Sequence, residues 1–276
     1  TTWSHEMPLD QGNNPISLYC RNAEGKAGFA TRSRIVFDTL APMVFSSVPG
    51  NNSHVKKYVD IVEITLLEEA TGIDGTATIA NAGVVKNGTE IVSGQWAADY
   101  NHVTFTPDSP METGEYLVTL DPTDTPLGNT QQSTIAFTVD VTQPQSPVMD
   151  PVDSPTQSNT QELTGTKEAD TSIWMDGVQI VAADNLTQWS YTLSMDEGIN
   201  THTLTAKDLA GNTSDGVEFS IILDRTAPIL ENTIPQGGAF IKESPSDIVF
   251  VFSESFTAID ESETLATGTC RNAAGL

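Results

Sequence analysis

The sequence contains two copies of one pattern, separated by a fixed offset. The segment FDTLAP (37–42) returns as LDRTAP (223–228), so that Asp38 corresponds to Asp224 and Pro42 to Pro228. A repeat at a fixed period constrains the fold more than any other feature, because each period must be a unit that can be joined to its neighbours. The chain is therefore predicted to be an excerpt from a tandem array.

The alignment extends beyond these two segments. LYCRNAEGKAG (18–28) lies over LTAKDLAGNTS (204–214) without a gap at the same offset. Further along, a one-residue slip brings the DIV of residues 60–62 over the DIV of residues 247–249. We therefore expect the second copy to follow the first closely, with one insertion before this DIV segment.

The period from Asp38 to Asp224 is long enough for two small domains. FTVDVTQPQSPVMDPVDSP (137–155) supplies a boundary inside the period, because its alternating run ends at Asp140 and a proline-rich linker follows. We predict two complete domains, a longer one at 42–143 and a shorter one at 144–227. Residues 1–41 are then the C-terminal part of a shorter domain, and residues 228–276 are the N-terminal part of a longer domain.

The local pattern is that of β-strands. Five runs alternate apolar and polar residues with β-branched or aromatic side chains, namely SRIVFD (33–38), DIVEITL (60–66), STIAFTVDV (133–141), VEFSIILD (217–224) and DIVFVFSE (247–254). Asn87-Gly88 and Asp176-Gly177 are typical of two-residue hairpin turns. The sequence predicts an all-β fold of antiparallel sandwiches arranged end to end.

Two details of the core follow from the same pattern. Residues 66–82 are the weakest strand prediction, and this stretch permits one helical turn. Trp174 and Trp189 lie on neighbouring predicted strands of one domain, so we expect both to anchor its core.

The chain is strongly acidic, with 37 acids against 12 bases and a net charge of −25. A field of this sign repels phosphate backbones and anionic lipid, so nucleic-acid binding is not expected. No run approaches 18 consecutive apolar residues, and we predict no membrane insertion in this segment.

Two cysteines in 276 residues do not form a disulfide framework. Cys20 corresponds to Ala206 in the second copy, and Cys270 lies in a different predicted domain. We expect both to be small, buried and unpaired strand residues, without a bridge between them.

The sequence lacks the patterns that carry catalysis. Four histidines are scattered without metal-ligand spacing, and no nucleophile elbow or phosphate-binding loop occurs. Adjacent acids such as Glu68-Glu69 and Asp260-Glu261 are typical of solvated loops rather than of a catalytic pair held in a cleft. We predict that the protein is not an enzyme.

The run TLTAKDLAGNTSDGVEFSIILDRTAP (203–228) resembles the end of a bacterial immunoglobulin-like (Big-type) domain of the kind repeated in large surface adhesins. The longer domain resembles a second bacterial Ig-like type through APMVFSSVPGNN (41–52), VTFTPDSPMETGEYLVTL (103–120) and PLGNT (126–130). The resemblance implies tandem Ig-like sandwiches in a secreted or cell-surface protein. Its motifs are structural, so they specify the fold far better than the function.

From this resemblance we expect a non-catalytic stalk or spacer that supports adhesion or attachment between cells. Its partners would be the neighbouring Ig-like repeats, with a surface glycan or a protein receptor as a further partner. The alternatives are a carbohydrate- or protein-binding module, a surface-layer or filament subunit, and an appendage of a secreted enzyme. In the carbohydrate-binding alternative, exposed aromatics such as Trp96 or Tyr100 would stack on sugars.

Calcium is the one cofactor that the sequence suggests. Asp38, Asp140 and Asp224 each end the last predicted strand of a domain, immediately before a linker. A carboxylate placed there lies beside backbone carbonyls and loops of the next domain, and calcium takes six to eight oxygens from such mixed sources. Some adhesin arrays of this type are stiffened by calcium, and the resemblance implies calcium binding at these three positions. The alternative is that each aspartate only caps the linker turn.

Overall fold

The structure is a computed structural model that describes residues 4–28, 31–227, 229–243 and 248–253. The regular secondary structure of the described residues is almost entirely β-strand, and the chain divides into two compact units. Unit 1 holds Thr1–Thr142 with Leu209–Asn212, and unit 2 holds Gln143–Asp208 with Thr213–Leu276. The division into four segments predicted from the sequence remains a prediction. No helix in the described part of the chain is long and apolar enough to span a membrane.

The described residues of unit 1 form thirteen strands and one short helix. In chain order they are β1 (Gly12–Leu18), β2 (Thr31–Phe37), β3 (Met43–Val48), β4 (Ser53–Val55), β5 (Val62–Leu67), β6 (Gly72–Ile73), α1 (Gly75–Ile79), β7 (Gly83–Lys86), β8 (Glu90–Ile91), β9 (Gly94–Asp99), β10 (His102–Pro107), β11 (Gly114–Leu120), β12 (Asp124–Thr125) and β13 (Ser133–Val139).

Two sheets of unit 1 enclose one core, and we call them the first sandwich. The sheet orders are β3-β5-β10-β9 and β4-β13-β11-β7-β8, with β4 parallel to β13 and the other pairs antiparallel. Inward side chains alternate along each strand, as Val62, Ile64 and Leu66 do on β5. This is the two-sheet arrangement of an immunoglobulin-like domain.

The first sandwich also has a tyrosine corner, a hydrogen bond found in Ig-like domains. Tyr116 lies near the start of β11, and its hydroxyl donates to the backbone carbonyl of Glu112 at 2.7 Å. Its ring stacks on Phe137 with 5.4 Å between centroids. Burial raises the pKa of Tyr116, and the nearby Glu90 and Glu112 raise it further.

Nine strands lie in the part of unit 2 that the structure describes. They are β14 (Val148–Met149), β15 (Thr160–Thr166), β16 (Thr171–Met175), β17 (Val178–Asp184), β18 (Gln188–Ser194), β19 (Gly198–Lys207), β20 (Val217–Leu223), β21 (Ile229–Ile234) and β22 (Val249–Ser253). The sheets β14-β15-β18 and β17-β16-β19-β20 enclose a second core, and we call them the second sandwich. The fold is thus all-β, with tandem Ig-like antiparallel sandwiches.

Both predicted hairpin turns are confirmed. Asn87 and Gly88 have φ of 50° and 78°, and Asp176 and Gly177 have φ of 51° and 82°. These left-handed pairs are the conformation that a two-residue turn requires. The short helix α1 lies within 66–82, where the sequence permitted a helical turn, and Asp74 caps it by accepting a hydrogen bond from the Ala77 amide.

The two tryptophans of the second sandwich have different roles. Trp189 on β18 is buried in the core, as predicted. The prediction was wrong for Trp174, because alternation on β16 turns Ile173 into the core and Trp174 to the opposite face. There Lys207 covers the indole, with its Nζ 3.6 Å from the ring centroid.

The repeat is reproduced at the level of strand pairing. The register of β1 with β2 runs from Gly12 opposite Phe37 to Leu18 opposite Thr31. The register of β19 with β20 runs over the equivalent positions of the second copy, from Gly198 opposite Leu223 to Leu204 opposite Val217. The two hairpins are therefore structural copies of each other.

The entry to each hairpin is also copied. The Asn14 side chain accepts from the Asp10 amide at 2.9 Å and donates to the Asp10 carbonyl at 2.7 Å. The Asn200 side chain makes the same two bonds with Asp196, at 3.0 and 2.8 Å. The sequence therefore encodes the same turn and the same first strand twice.

The predicted one-residue slip is wrong. Val48 pairs with Glu63 on the β3–β5 ladder, and Ile234 pairs with Val249 on the β21–β22 ladder. The second pair follows the first at the same offset that separates Asp38 from Asp224, so the offset does not change. The two DIV segments are not structurally equivalent, because the bulge after Val44 returns at the equivalent place in β21 and keeps the register.

The prediction that Cys20 is buried is also wrong. Cys20 is a free, exposed thiol just after β1, whereas Ala206 at the equivalent position is fully buried. The difference arises because Ala206 packs inside the second sandwich, and no described strand covers the corresponding face of β1. Cys270 lies outside the described residues.

Candidate metal centre

Three acidic side chains converge at one end of the first sandwich. Asp38 follows β2, Glu68 follows β5, and Asp124 begins β12. Each contributes a carboxylate oxygen, and these oxygens all lie within 4.8 Å of one another. Two ligands on opposite sides of a calcium ion are separated by about the same distance, since each Ca–O bond is about 2.4 Å. The spacing therefore fits a single ion.

The three carboxylates are withdrawn from water to different degrees. Asp124 is 1% exposed and Asp38 is 6% exposed, while Glu68 is half-buried. The ion pairs formed by the described residues do not include any of these carboxylates. Carboxylates buried in this way are normally paired with a cation or bound to a metal ion.

Asp38 is held by hydrogen bonds from both sides of the linker. Its Oδ1 accepts from the Leu40 amide at 3.1 Å and from the Gln11 side chain, and its Oδ2 accepts from Thr71 Oγ1 at 3.0 Å. The backbone carbonyl of Asp38 accepts from Asn129 Nδ2 at 3.2 Å. The end of the β1–β2 hairpin is thus tied to two loops of the first sandwich.

Glu68 is oriented by the turn that follows β5. Its Oε1 accepts from the Ala70 amide at 2.9 Å and from the Thr71 amide at 3.3 Å. These bonds direct the carboxylate back towards the end of its own strand. Thr71 therefore contacts both Glu68 and Asp38 and fixes their separation.

Asp124 is oriented by the loop that leads to Asn129. Its Oδ1 accepts from the Asn129 amide at 2.8 Å, and its Oδ2 accepts from Asn129 Nδ2 at 2.7 Å. Gly128 has φ of 77°, a conformation that a residue with a side chain adopts at a cost, so the glycine allows this tight return. Both donors to the Asp124 carboxylate come from Asn129 and are neutral, and none of the ion pairs among the described residues includes Asp124.

The donor set has the chemistry of a calcium site. Three carboxylates give hard oxygen ligands, and the Thr71 hydroxyl lies within hydrogen-bond distance of Asp38. Calcium accepts such ligands in irregular geometry, whereas magnesium requires a near-ideal octahedron and retains water. Asp38, Glu68 and Asp124 are therefore oxygen donors of the kind that calcium takes.

The other two aspartates that the sequence proposed are not in such a group among the described residues. Asp224 is buried, and its Oδ1 accepts from the Thr226 amide at 3.1 Å and from Thr226 Oγ1 at 2.9 Å. Asp140 is half-buried, and its Oδ1 accepts from the Thr142 amide at 2.9 Å. Both side chains form the linker turn that was the alternative to calcium.

The sequence pattern indicates Asp38 as a metal ligand and gives no such indication for the other two members of the group. Glu68 stood out only as half of an acid pair, and Asp124 was not singled out. The only signal for Asp124 is its position just ahead of the PLGNT loop. Nothing in a linear pattern shows that Glu68 and Asp124, which are distant from Asp38 in the chain, meet it in space.

The two aromatic residues proposed for sugar stacking differ in exposure. Trp96 is half-buried and packs on Phe105 with 4.8 Å between ring centroids, so it belongs to the periphery of the core. Tyr100 is 85% exposed at the turn between β9 and β10. Tyr100 is therefore an exposed aromatic of the kind that the sugar-binding alternative expects, whereas Trp96 is not fully exposed.

No protein-family model and no curated protein sequence matches this chain. Among solved structures, the fibronectin(III)-like modules of Clostridium thermocellum CbhA are 16% identical, with a TM-score of 0.41; the match covers 66% of this chain and 93% of that one. The FN1–FN3 domains of chicken CNTN1 are 10% identical, with a TM-score of 0.32, and 76% and 77% of the two chains are covered.

A third similar structure is the BSP domain of a biofilm-associated protein. It is 18% identical with a TM-score of 0.23, and the match covers 68% of this chain but 30% of that one. Sequence identity and structural overlap are low in all three matches. The likeness therefore carries nothing about activity, ligand or partner.

Proposed function

We propose that this chain is a non-catalytic structural segment, a stalk or spacer, of a bacterial surface or secreted protein that supports adhesion or attachment between cells. The observation that carries the proposal is the copied hairpin, with its register and the turn closed by Asn14 reproduced in the second copy by Asn200. Repetition at this level of detail favours a protein built by adding modules of the same design. Such an array gains length and mechanical continuity with each module.

The filled interior of each sandwich supports the same role. The first core is formed by large apolar side chains such as Phe105, Met111 and Tyr116, and the second by Leu163, Trp189 and others. A module with a complete core of its own can unfold and refold independently of its neighbours. The −25 net charge keeps similar modules apart and so opposes their co-aggregation.

Single-molecule pulling from the two chain ends tests the spacer role. We expect the two sandwiches to unfold in separate steps, because each has its own core. Each released residue adds about 0.35 nm of length, so the longer first sandwich and the shorter second sandwich give steps of different size. Gradual lengthening without steps, or one step for the whole chain, would contradict a stalk of independent modules.

We further propose that Asp38, Glu68 and Asp124 bind calcium and fasten the linker after β2 to the first sandwich. When bound, the ion would supply positive charge to three carboxylates that have no basic partner among the described residues. Thr71 and Asn129 would hold the carboxylates in position for it. The aspartates at 140 and 224 remain candidates for equivalent sites.

A thermal melt of the chain with calcium, with magnesium and with a chelator tests this site. Calcium at about 100 times its dissociation constant adds about 2.7 kcal/mol to the free energy of unfolding. For a domain of this size, that raises the midpoint of the first sandwich by roughly 10 °C. Asp124→Asn should abolish the rise, because it removes a buried ligand charge.

Glu69→Gln is the matched control. Glu69 is exposed, neighbours Glu68 in the chain and is outside the group of three acids, so its variant should keep the full calcium response. If calcium leaves the midpoint of the parent chain unchanged, or if Glu69→Gln loses the response as Asp124→Asn does, the calcium site is refuted. The spacer proposal would survive that result.

A further inference from the structure

The sheet β3-β5-β10-β9 packs one face on the first core and turns the other face, which we call the open face, to solvent. Phe45 and Val48 on its edge strand β3 are 70% and 63% exposed. Tyr100, in the turn between β9 and β10, is 85% exposed. This turn lies at the end of β5, because the Asn101 carbonyl accepts from the Leu66 amide at 2.8 Å. Exposed aromatic side chains therefore stand at two margins of the open face.

Polar side chains occupy the middle of the open face in two rows that cross the strands. Thr65 on β5 is opposite His102 on β10, and Glu63 is opposite Thr104. All four are half-buried. None of them forms a side-chain hydrogen bond or an ion pair with another residue that the structure describes. Their hydrogen-bonding groups are therefore available to a ligand, and we call these four residues the polar rows.

The equivalent outward face of the second sandwich has no such supply of free groups among its described residues. There Thr201 Oγ1 and Ser220 Oγ form a hydrogen bond of 2.8 Å, and Trp174 Nε1 donates to Ser172 Oγ at 3.0 Å. Lys207 covers the Trp174 indole. The polar groups and the aromatic ring of that face are satisfied within the fold, whereas those of the open face are not.

The backbone of Tyr100 indicates that its side chain is kept for a reason other than folding. Its φ of 56° is left-handed, a conformation that a bulky residue adopts at a cost in stability. Among the described residues, the other non-glycine positions with positive φ hold only asparagine or aspartate, which tolerate it, namely Asn52, Asn87, Asp170 and Asp176. The exposed ring of Tyr100 offsets little of this cost through packing.

Phe45 is likewise not required by the fold. It is the extra residue of the bulge between Val44 and Ser46 on the β3–β5 ladder. The second copy has the same bulge in β21, and Glu231 occupies the equivalent position there. This position therefore accepts a charged side chain, and the phenyl ring at 45 exposes apolar surface that the copy does without.

We propose that the open face binds a neutral oligosaccharide, with Phe45 and Tyr100 stacking on sugar rings and the polar rows hydrogen-bonding to the hydroxyls between them. A sugar ring has an apolar C–H face and a rim of hydroxyls, and the open face offers a partner for each. Strand β3 is two strand spacings from β10, about 10 Å, which a short oligosaccharide spans. This binding would be a further function of the first sandwich, beyond the proposed spacer role.

The charges of the open face select this ligand over two others. Glu63 and the net charge of −25 repel an acidic glycan. A protein partner would have to desolvate the Glu63 carboxylate, which no described cation neutralises, and the cores of protein interfaces are depleted of charged residues. Sugar hydroxyls instead donate hydrogen bonds to such a carboxylate and leave its charge in a polar surrounding.

A glycan array probed with the labelled full chain tests the class of ligand. The array carries neutral oligomers of glucose, galactose, mannose and N-acetylglucosamine beside oligomers that contain uronic or sialic acid. We expect binding to at least one neutral oligomer and none to the acidic ones. Absence of binding to every neutral oligomer, or binding to acidic oligomers alone, would overturn the proposal.

Two substitutions test whether the bound oligomer lies on the open face. Tyr100→Asn places a residue that tolerates positive φ in the turn, so its melting midpoint should equal or exceed that of the parent. Phe45→Glu introduces the residue that the second copy has at this position. Each variant should bind the neutral oligomer about tenfold more weakly, because one aromatic contact is lost.

Ile91→Glu is the matched control, because Ile91 is 80% exposed on the other sheet and its variant should bind as the parent does. Parental affinity in both Tyr100→Asn and Phe45→Glu would overturn the proposal, as would an equal loss in the control. Amide NMR shifts of the parent chain, titrated with the bound oligomer, locate the site without a substitution. We expect shifts at Thr65, His102 and Thr104, and shifts confined to other strands would overturn the proposal.

Discussion

The β1–β2 hairpin and the β19–β20 hairpin have the same strand register and the same turn closed by an asparagine, Asn14 or Asn200. Their apolar faces differ in exposure to solvent. In the second, Leu204 and Ile221 are completely buried, and in the first the equivalent Leu18 and Ile35 are exposed. Strand pairing is therefore encoded locally, within the hairpin itself. Burial depends on a partner sheet that the hairpin does not contain.

The largest expected effect comes from truncating equivalent leucines in the two hairpins. Leu204→Ala leaves a cavity in the second core and should lower its free energy of unfolding by about 2–5 kcal/mol. Leu18→Ala removes an exposed side chain and should change stability within about 0.5 kcal/mol. Urea denaturation of the two variants measures both, and equal losses would break the contrast between the hairpins.

The next effect concerns the sheet that covers β19–β20. Gly165 on β15 lies so close to β14 that an added Cβ would be 1.9 Å from the Val148 carbonyl oxygen. Gly165→Ala should displace β14 and cost about 1–3 kcal/mol in the unfolding of the second sandwich. Gly83→Ala is the control, because no atom lies within 4 Å of its added Cβ. A Gly165→Ala variant as stable as the control would contradict this packing.

A smaller effect is expected from the two asparagines that close the turn before each hairpin. Asn200→Ala removes the bonds to Asp196 and should reduce the stability of the second sandwich by about 1 kcal/mol. Asn14→Ala removes the same bonds from the exposed hairpin, and its effect should be confined to faster local amide exchange. Loss of global stability in Asn14→Ala would show that the first hairpin belongs to a larger cooperative unit.

The smallest effect is a dependence on pH that only the second hairpin should show. The hydrogen bond from His202, at 2.7 Å, holds the pKa of Asp176 below its ordinary value near 3.8, and the Thr203 amide lowers it further. Stability from this pair is present above pH 3.8 and is lost as the pH falls through the lower folded pKa. The contribution of this ion pair to the free energy of unfolding is small, because the Asp176 side chain is half-exposed.

Asp176→Asn should remove that dependence from the acid unfolding curve of the second sandwich. The β1–β2 hairpin has Ile16 at the position of His202, so its exchange rates should be unaffected by the substitution. An unchanged acid curve for Asp176→Asn would mean that the pair does not stabilise the fold.

The sequence predicted the features that depend on neighbouring residues. The repeat period, the alternating strands and the turns at Asn87 and Asp176 follow from local chemistry, and the structure confirms them. The sequence places Trp174 in the core because tryptophan is apolar. In the structure Ile173 occupies the core position, so the alternation along the strand turns Trp174 to the other face. Burial of Cys20 was mispredicted for a related reason, since it requires a covering sheet.

The candidate site could be predicted only in part. Asp38 was named because it ends a strand before a linker, and this is a local signal. Glu68 and Asp124 join it through the folding of two loops, which depends on contacts such as those of Thr71 and Asn129. The predicted one-residue slip rests on identical residues at DIV. The register is set instead by a β-bulge, which the sequence does not reveal.

Residue-resolved hydrogen exchange of the whole chain tests the central contrast most directly. Amides in the β19–β20 ladder should exchange only through unfolding of the second sandwich, which costs about 5 kcal/mol or more. Equivalent amides in the β1–β2 ladder should exchange by local opening, roughly a thousandfold faster. Equal protection of the two ladders would contradict the account, because it would mean that identical pairing suffices for stability without a covering sheet.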